Sequence, residues 1–214
     1  MENLKFINST TEDTQEEVKN SHNPQDLMSM LADEARMVGL YGEVNEDNCR
    51  TIISHLYSIN LMDQEKLDNP DNESQVIKPI EMLVSTEGGH VQEMFGVVDV
   101  LRQIKETSEI HTIGIGKVMS AGILLLAAGT QGKRKIGKYT RLMLHSISGG
   151  DFGSIKQLEN NLQEVKWYQS KYIEALTENS NMSSRQLKAI FRKKSDTYFD
   201  ATQALKWGIA DEII

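Results

Sequence analysis

The order of segments along the chain predicts an α/β fold with a mostly parallel sheet. Three observations carry this. Apolar runs of strand length alternate throughout with runs whose apolar residues recur at helical spacing. The 214 residues allow one domain with a sizeable core, or one domain plus an appendage. The 39% hydrophobic and 25% charged content is that of a soluble globular chain, without internal repeats or low-complexity tracts.

The elements follow in order. Residues 1–30 are polar and aperiodic, and predict a flexible arm ahead of a domain over 31–214. Met37, Val38, Leu40 and Tyr41, closed by Gly42, read as a short buried strand. Asn45 or Asp47 caps a helix to about Ile59, with Ile52, Ile53, Leu56 and Ile59 at helical spacing. Residues 61–78, with Asp63, Asp68, Asn69 and Pro70, predict a long loop. Residues 80–85 are a strand, followed at once by Gly88 and Gly89. Residues 91–104 are a helix with Val91, Phe95, Val98 and Leu101 on one face, and 110–115 another strand. Residues 120–129 predict a helix apolar nearly all round, and 134–136 and 141–144 two short strands. A long helix spans 152–177, with Ile155, Leu158, Leu162, Val165, Tyr172 and Leu176 in a heptad-like stripe. Ser183 and Ser184 cap a short helix to Phe191. Asp200 caps a last one to Lys206, and residues 207–211 turn into a final strand.

Bulk properties exclude several functions. The net charge of −8 argues against nucleic acid, whose phosphates require a basic face. The single cysteine, Cys49, cannot form an intrachain disulfide or a multi-cysteine metal site. Its polar surroundings predict a surface or half-buried thiol. The first residues lack the basic and apolar regions of a secretory signal, and no apolar run reaches the ~20 residues of a membrane span. A cytoplasmic setting without membrane or nucleic-acid partners is the expectation.

Four segments hold the chemistry. The turn from Ser85 to His90, between a strand and a helix, is a cradle of backbone N–H groups. Alone it serves a phosphate, an acyl oxyanion or merely a tight turn, and it lacks the G-x-G-x-x-G spacing of a dinucleotide site. Ser120 stands between a strand and a buried helix, where the helix dipole stabilises developing negative charge, or else it is a plain N-cap. His145 closes the strand of Leu142 to Leu144, as a base or a structural histidine. Asp196 lies in a turn-like segment. Taken together they supply a nucleophile, a base near its working pH, an orienting acid and an oxyanion cradle. The order serine, histidine, aspartate differs from those of chymotrypsin, subtilisin and the α/β-hydrolases.

The segments around these residues resemble the Clp protease proteolytic subunit family, from about residue 35 to the C-terminus. The Gly-Gly turn is Gly88-Gly89, with Glu87 where proline is usual. The serine segment runs from Met119 to Gly129, with Ala121-Gly122 in place of Met-Gly. The histidine strand ends at His145, followed by Ser146-Ile147 instead of Gln-Pro. The acid segment runs from Asp196-Thr197-Tyr198 through Gly208-Ile209-Ala210-Asp211.

The resemblance implies a ClpP-like, crotonase-type spiral of β-α units, with the long helix protruding as a handle. It implies a serine endopeptidase with Ser120, His145 and Asp196 as triad. Gly88 and Ala121 N–H groups would form the oxyanion hole, with Gly89 shaping the turn, and Gly149 and Gly150 would belong to a hairpin lining the substrate groove. Heptameric rings stacked as a tetradecamer are implied, serving polypeptide substrates with an AAA+ unfoldase as partner. No metal or cofactor is called for, and the sequence carries no G-x-x-x-x-G-K-[ST] loop of its own for ATP. Two rival readings are a catalytically silent ring subunit beside an active paralogue and a crotonase-fold acyl-CoA enzyme.

Overall fold

Three long parallel strands form the frame: β1 (Met37–Val44), β2 (Ile80–Gly89) and β3 (Ile110–Met119). The computed structural model describes residues 36–68, 76–150, 152–193 and 195–214. The expected N-terminal arm and its boundary near residue 31 lie outside them. Helices α1 (Glu46–Asp68) and α2 (Val91–Ile104) make the crossovers that parallel neighbours require. Beyond β3 the sheet forks. The first half of β3 pairs with β4 (Lys135–Ile136) and the second half with β5 (Arg141–Leu144), both parallel. Strand β6 (Thr197–Phe199) runs antiparallel to β5, and β7 (Glu212–Ile213) closes the far edge beside β4.

Helix α3 (Ala121–Ala127) lies in the middle of the core, with all seven residues buried. Each buried leucine or isoleucine there contributes about 1.5–3 kcal/mol. Helix α4 (Ile155–Glu178) behaves differently along its length. Only Tyr172, Ile173 and Leu176 are buried, while Ile155, Leu158 and Leu162 of the same apolar stripe are exposed. The predicted protruding helix is therefore present, with its first half clear of the core. Helices α5 (Ser184–Phe191) and α6 (Ala201–Lys206) are capped by Ser183 and Asp200, whose side chains accept N–H bonds from Gln186 and Gln203.

Three expectations need correction. The loop predicted from residue 61 is helix as far as Asp68, and residues 69–75 lie outside the described part. Asp63, read as a loop signal, is buried on the inner face of α1, where it accepts the Ser108 hydroxyl at 2.6 Å. A buried carboxylate with a partner is compatible with a helix. The inner face of α2 is Met94, Val97, Leu101 and Ile104, with Val91, Phe95 and Val98 only partly covered. Cys49 is fully buried at the start of the α1 stripe, and burial, with the Glu93 charge, pushes its thiol up to about 11. It is a protonated core residue at neutral pH.

One ion pair ties the C-terminal edge together. Arg134, 4% exposed, meets Asp211 through Nε and a terminal nitrogen, at 2.8 and 2.6 Å. Its other terminal nitrogen donates to the carbonyls of Ala127 and Asn179, at the C-terminal ends of α3 and α4. A cation there also complements both helix dipoles. Asp211 further accepts the N–H groups of Gly132 and Arg134.

Candidate active site

Ser120 joins β3 to α3 with φ +53° and ψ −119°. This is the left-handed region, costly for a residue with a Cβ. Three backbone bonds hold it there. Its N–H donates to Met143 O at 2.8 Å, and its carbonyl accepts from Ile123 N–H at 3.0 Å and the Tyr172 hydroxyl at 2.7 Å. The side chain makes no N-cap bond. Instead Oγ lies 2.7 Å from His145 Nε2. The plain N-cap alternative thus fails, because the strained backbone turns the hydroxyl off the helix end.

His145 follows β5, whose parallel pairing with β3 (Met119 opposite Met143) carries it to the serine. Asp196 precedes β6, whose antiparallel pairing sets Leu144 opposite Thr197. His145 and Asp196 each lie one residue beyond that last pair, so the end of the ladder brings the two segments together. Strand β6 was not foreseen from the sequence. The Asp196 side chain is exposed, and among the described residues no hydrogen bond joins it to His145.

Gly88, at φ +101°, is what lets the serine come close. A methyl group on it would stand 2.6 Å from Ser120 Cβ and 3.1 Å from both Ser120 Oγ and Met119 O. Its N–H, expected to face an oxyanion, donates to Thr86 Oγ1 at 2.9 Å instead. Thr86 is wholly buried, and its hydroxyl satisfies the turn locally. Gly89 takes a different position. His90 N–H donates to Val44 O at 2.8 Å, and Gly89 is the residue paired with Val44. In a parallel ladder this turns the Gly89 N–H away from β1, toward the β3 side. A methyl on Gly89 would run into Val44 O. The Ala121 N–H, in the first turn of α3, has no acceptor within its helix.

A cavity of about 350 Å³ opens between these groups and α4, touching Gly89, Ser120, Ala121 and His145. Its apolar wall is Val91, Met94, Val165, Tyr168 and Tyr172. Gly149 and Gly150 are exposed and do not line it, although Ile147 and Ser148 do. Residues 145–150 form no strand, so the expected hairpin is absent from the described residues. Two adjacent glycines bring no side chain to stabilise strand pairing.

Comparison with known proteins gives the site its context. The family model for Clp protease matches residues 18–214. The chain belongs to the Clp protease family. The match starts at residue 18, earlier than the resemblance read from about residue 35. A Prochlorococcus marinus protein named ATP-dependent Clp protease proteolytic subunit 1 is 28% identical over 203 residues, 93% of each chain. A Thermobifida fusca protein named ATP-dependent Clp protease proteolytic subunit 2 is 26% identical over 179 residues, covering 84% of this chain and 80% of that one. The fold is the α/β one expected of this family, and the chain is a Clp-type protease subunit by descent. Among the described residues no helix is long and apolar enough to cross a membrane.

Sequence reasoning missed Thr86, Gln169 and the true part played by Tyr172. Gln169 Oε1 accepts the Ile147 N–H at 2.8 Å, holding the segment that follows His145. In the sequence Tyr172 is one member of an apolar stripe. A phenol on the buried face of a helix needs a hydrogen-bond partner, and that requirement was the available signal.

Proposed function

We propose that this chain is an active serine endopeptidase subunit that cleaves unfolded polypeptides and peptides, with Ser120 as nucleophile and His145 as base. The observation that carries this reading is the 2.7 Å approach of Ser120 Oγ to His145 Nε2, from a strained serine at the head of a buried helix. Ser120 Oγ bonds to the peptide carbonyl carbon while its proton passes to Nε2. The carbonyl π electrons move onto the oxygen, which the N–H groups of Ala121 and Gly89 receive. Gly88, with its N–H already engaged, supplies closeness rather than charge. The carbon–nitrogen bond then breaks, and His145 returns its proton to the leaving amine. Water then bonds to the acyl carbon while His145 takes its proton; the bond from that carbon to Ser120 Oγ breaks, His145 returns the proton to Oγ, and the carboxylic acid product leaves. An oxyanion donor of this kind is worth roughly 10²–10³ in rate.

Asp196 completes the set by moving against Nδ1, where it holds the imidazole tautomer. The subunits assemble as stacked heptameric rings in the cytoplasm, and an AAA+ unfoldase spends the ATP. The exposed first half of α4 supports assembly, since Ile155, Leu158 and Leu162 are left uncovered on the isolated subunit.

One observation favours a second reading. Asp196 is exposed and not bonded to His145, as in a silent subunit that keeps the triad by descent. A fluorophosphonate probe separates the two. The active reading expects one covalent adduct on the assembled protein, seen by intact mass and lost in Ser120→Ala. An assembled particle that takes no adduct would overturn it in favour of the silent subunit.

A further inference from the structure

Ser120 has two conformations open to it. A serine ahead of a helix ordinarily adopts extended backbone angles and turns its hydroxyl onto the N–H groups of the first turn. In this protein it holds φ +53° and gives its hydroxyl to His145. The second arrangement sacrifices the cap and carries a strained residue. Something outside α3 must therefore hold it.

Among the described residues, two bonds from outside α3 reach the Ser120 backbone. Met143 O takes the N–H, and this belongs to the sheet. The Tyr172 hydroxyl donates to the carbonyl, and this comes from α4, distant in sequence. The Tyr172 ring is buried and stacked on Phe191, with centroids 5.7 Å apart and planes 11° from parallel. The phenol therefore has a fixed position. The Ile123 N–H bond to the same carbonyl lies within the first turn of the helix and does not bind the serine to the rest of the molecule.

We propose that Tyr172 is a positioning residue for the nucleophile: its hydroxyl, fixed on α4, holds the Ser120 carbonyl so that Oγ faces His145 rather than capping α3. The catalytic part of this rests on the peptidase reading above; the conformational part does not. Tyr172 touches neither proton in flight nor scissile bond. Tyr172 also borders the cavity, and removing the hydroxyl alone tests it apart from the ring.

Tyr172→Phe is the test, because it removes one oxygen and keeps the ring, the stacking and the cavity wall. The Ser120 carbonyl keeps Ile123 N–H, so no buried acceptor is orphaned. Fluorophosphonate labelling of Tyr172→Phe should be slower by roughly ten- to a hundred-fold, the population shift expected when a strained conformation loses its restraint. It should still run to the same end point as wild type. With a peptide substrate, kcat falls and KM stays. A merely structural role would lower the end point along with the melting temperature and leave the rate per folded molecule unchanged. Tyr57→Phe, which removes an exposed hydroxyl of α1 bonded to Gln103 of α2, is the control and labels as wild type. Wild-type rate in Tyr172→Phe overturns the inference and leaves the peptidase reading intact. If the wild type itself takes no label, a crystal structure of Tyr172→Phe decides. Ser120 relaxed to negative φ supports the inference, and Ser120 still at positive φ with Oγ on His145 overturns it.

Discussion

Substituting Gly88 by alanine puts one methyl group against the nucleophile. That methyl would lie 2.6 Å from Ser120 Cβ and 3.1 Å from Met119 O, where carbon atoms normally sit about 3.5–4.0 Å apart. Relief requires a shift of roughly 1 Å. Neither neighbour yields easily: Met119 O is backbone, and Ser120 is held at its N–H by Met143 and at its carbonyl by Tyr172. The backbone at φ +101° adds about 1–2 kcal/mol for any residue with a Cβ. Overpacking adds about 1–3 kcal/mol. Together Gly88→Ala loses about 2–5 kcal/mol of stability. A 1 Å displacement of the serine costs about 10²-fold in reaction rate. Thermal unfolding and the labelling rate of the folded protein measure the two effects. Gly149→Ala, with nothing within 4 Å of its methyl, should leave both unchanged. A Gly88→Ala protein that melts and labels like wild type would refute the claim that the serine depends on this glycine.

Two further outcomes concern the C-terminal edge. Arg134→Met should cost about 3 kcal/mol in denaturant unfolding, because it strands Asp211 and the carbonyls of Ala127 and Asn179; a loss under about 1 kcal/mol would mean the strap is dispensable. The second outcome is acid sensitivity. Burial alone would raise the Asp211 carboxyl, but bonds from Arg134 and Gly132 and the Arg134 charge outweigh it and hold the group below the usual carboxylate range. A depressed carboxyl stabilises the fold above its unfolded value, about 3.9, and that stability is lost as pH falls through the folded value. Asp211→Asn should therefore be less stable at neutral pH and should lose less on acidification, as read by urea midpoints at about pH 7 and pH 3. Parallel pH curves for the two proteins would show that Asp211 does not carry this dependence.

The chain-order alternation, the Gly-Gly turn and the serine ahead of an apolar helix were legible because each is a local pattern. So were the caps at Ser183 and Asp200, whose bonds span three residues. The errors came where a residue type has two uses. Asp63 marks a loop in an exposed segment but sits inside a helix once Ser108 is beside it. Val91, Phe95 and Val98 satisfy a helical period as well as Met94, Val97 and Leu101 do, and only the sheet decides which stripe faces in.

Local rules read along the chain were enough for the fold class, for the element order apart from β6, and for the identities of Ser120, His145 and Asp196 as candidates. The folded chain alone decided what those residues touch. It gave the Ser120 hydroxyl to His145 instead of the helix, the Gly88 N–H to Thr86, and the Tyr172 hydroxyl to the serine carbonyl, and it left Asp196 in solvent. The physical reason is distance in sequence. A cap or a turn is settled among neighbours, whereas a hydrogen bond between residues 120 and 172 exists only after β3, β5 and α4 have packed.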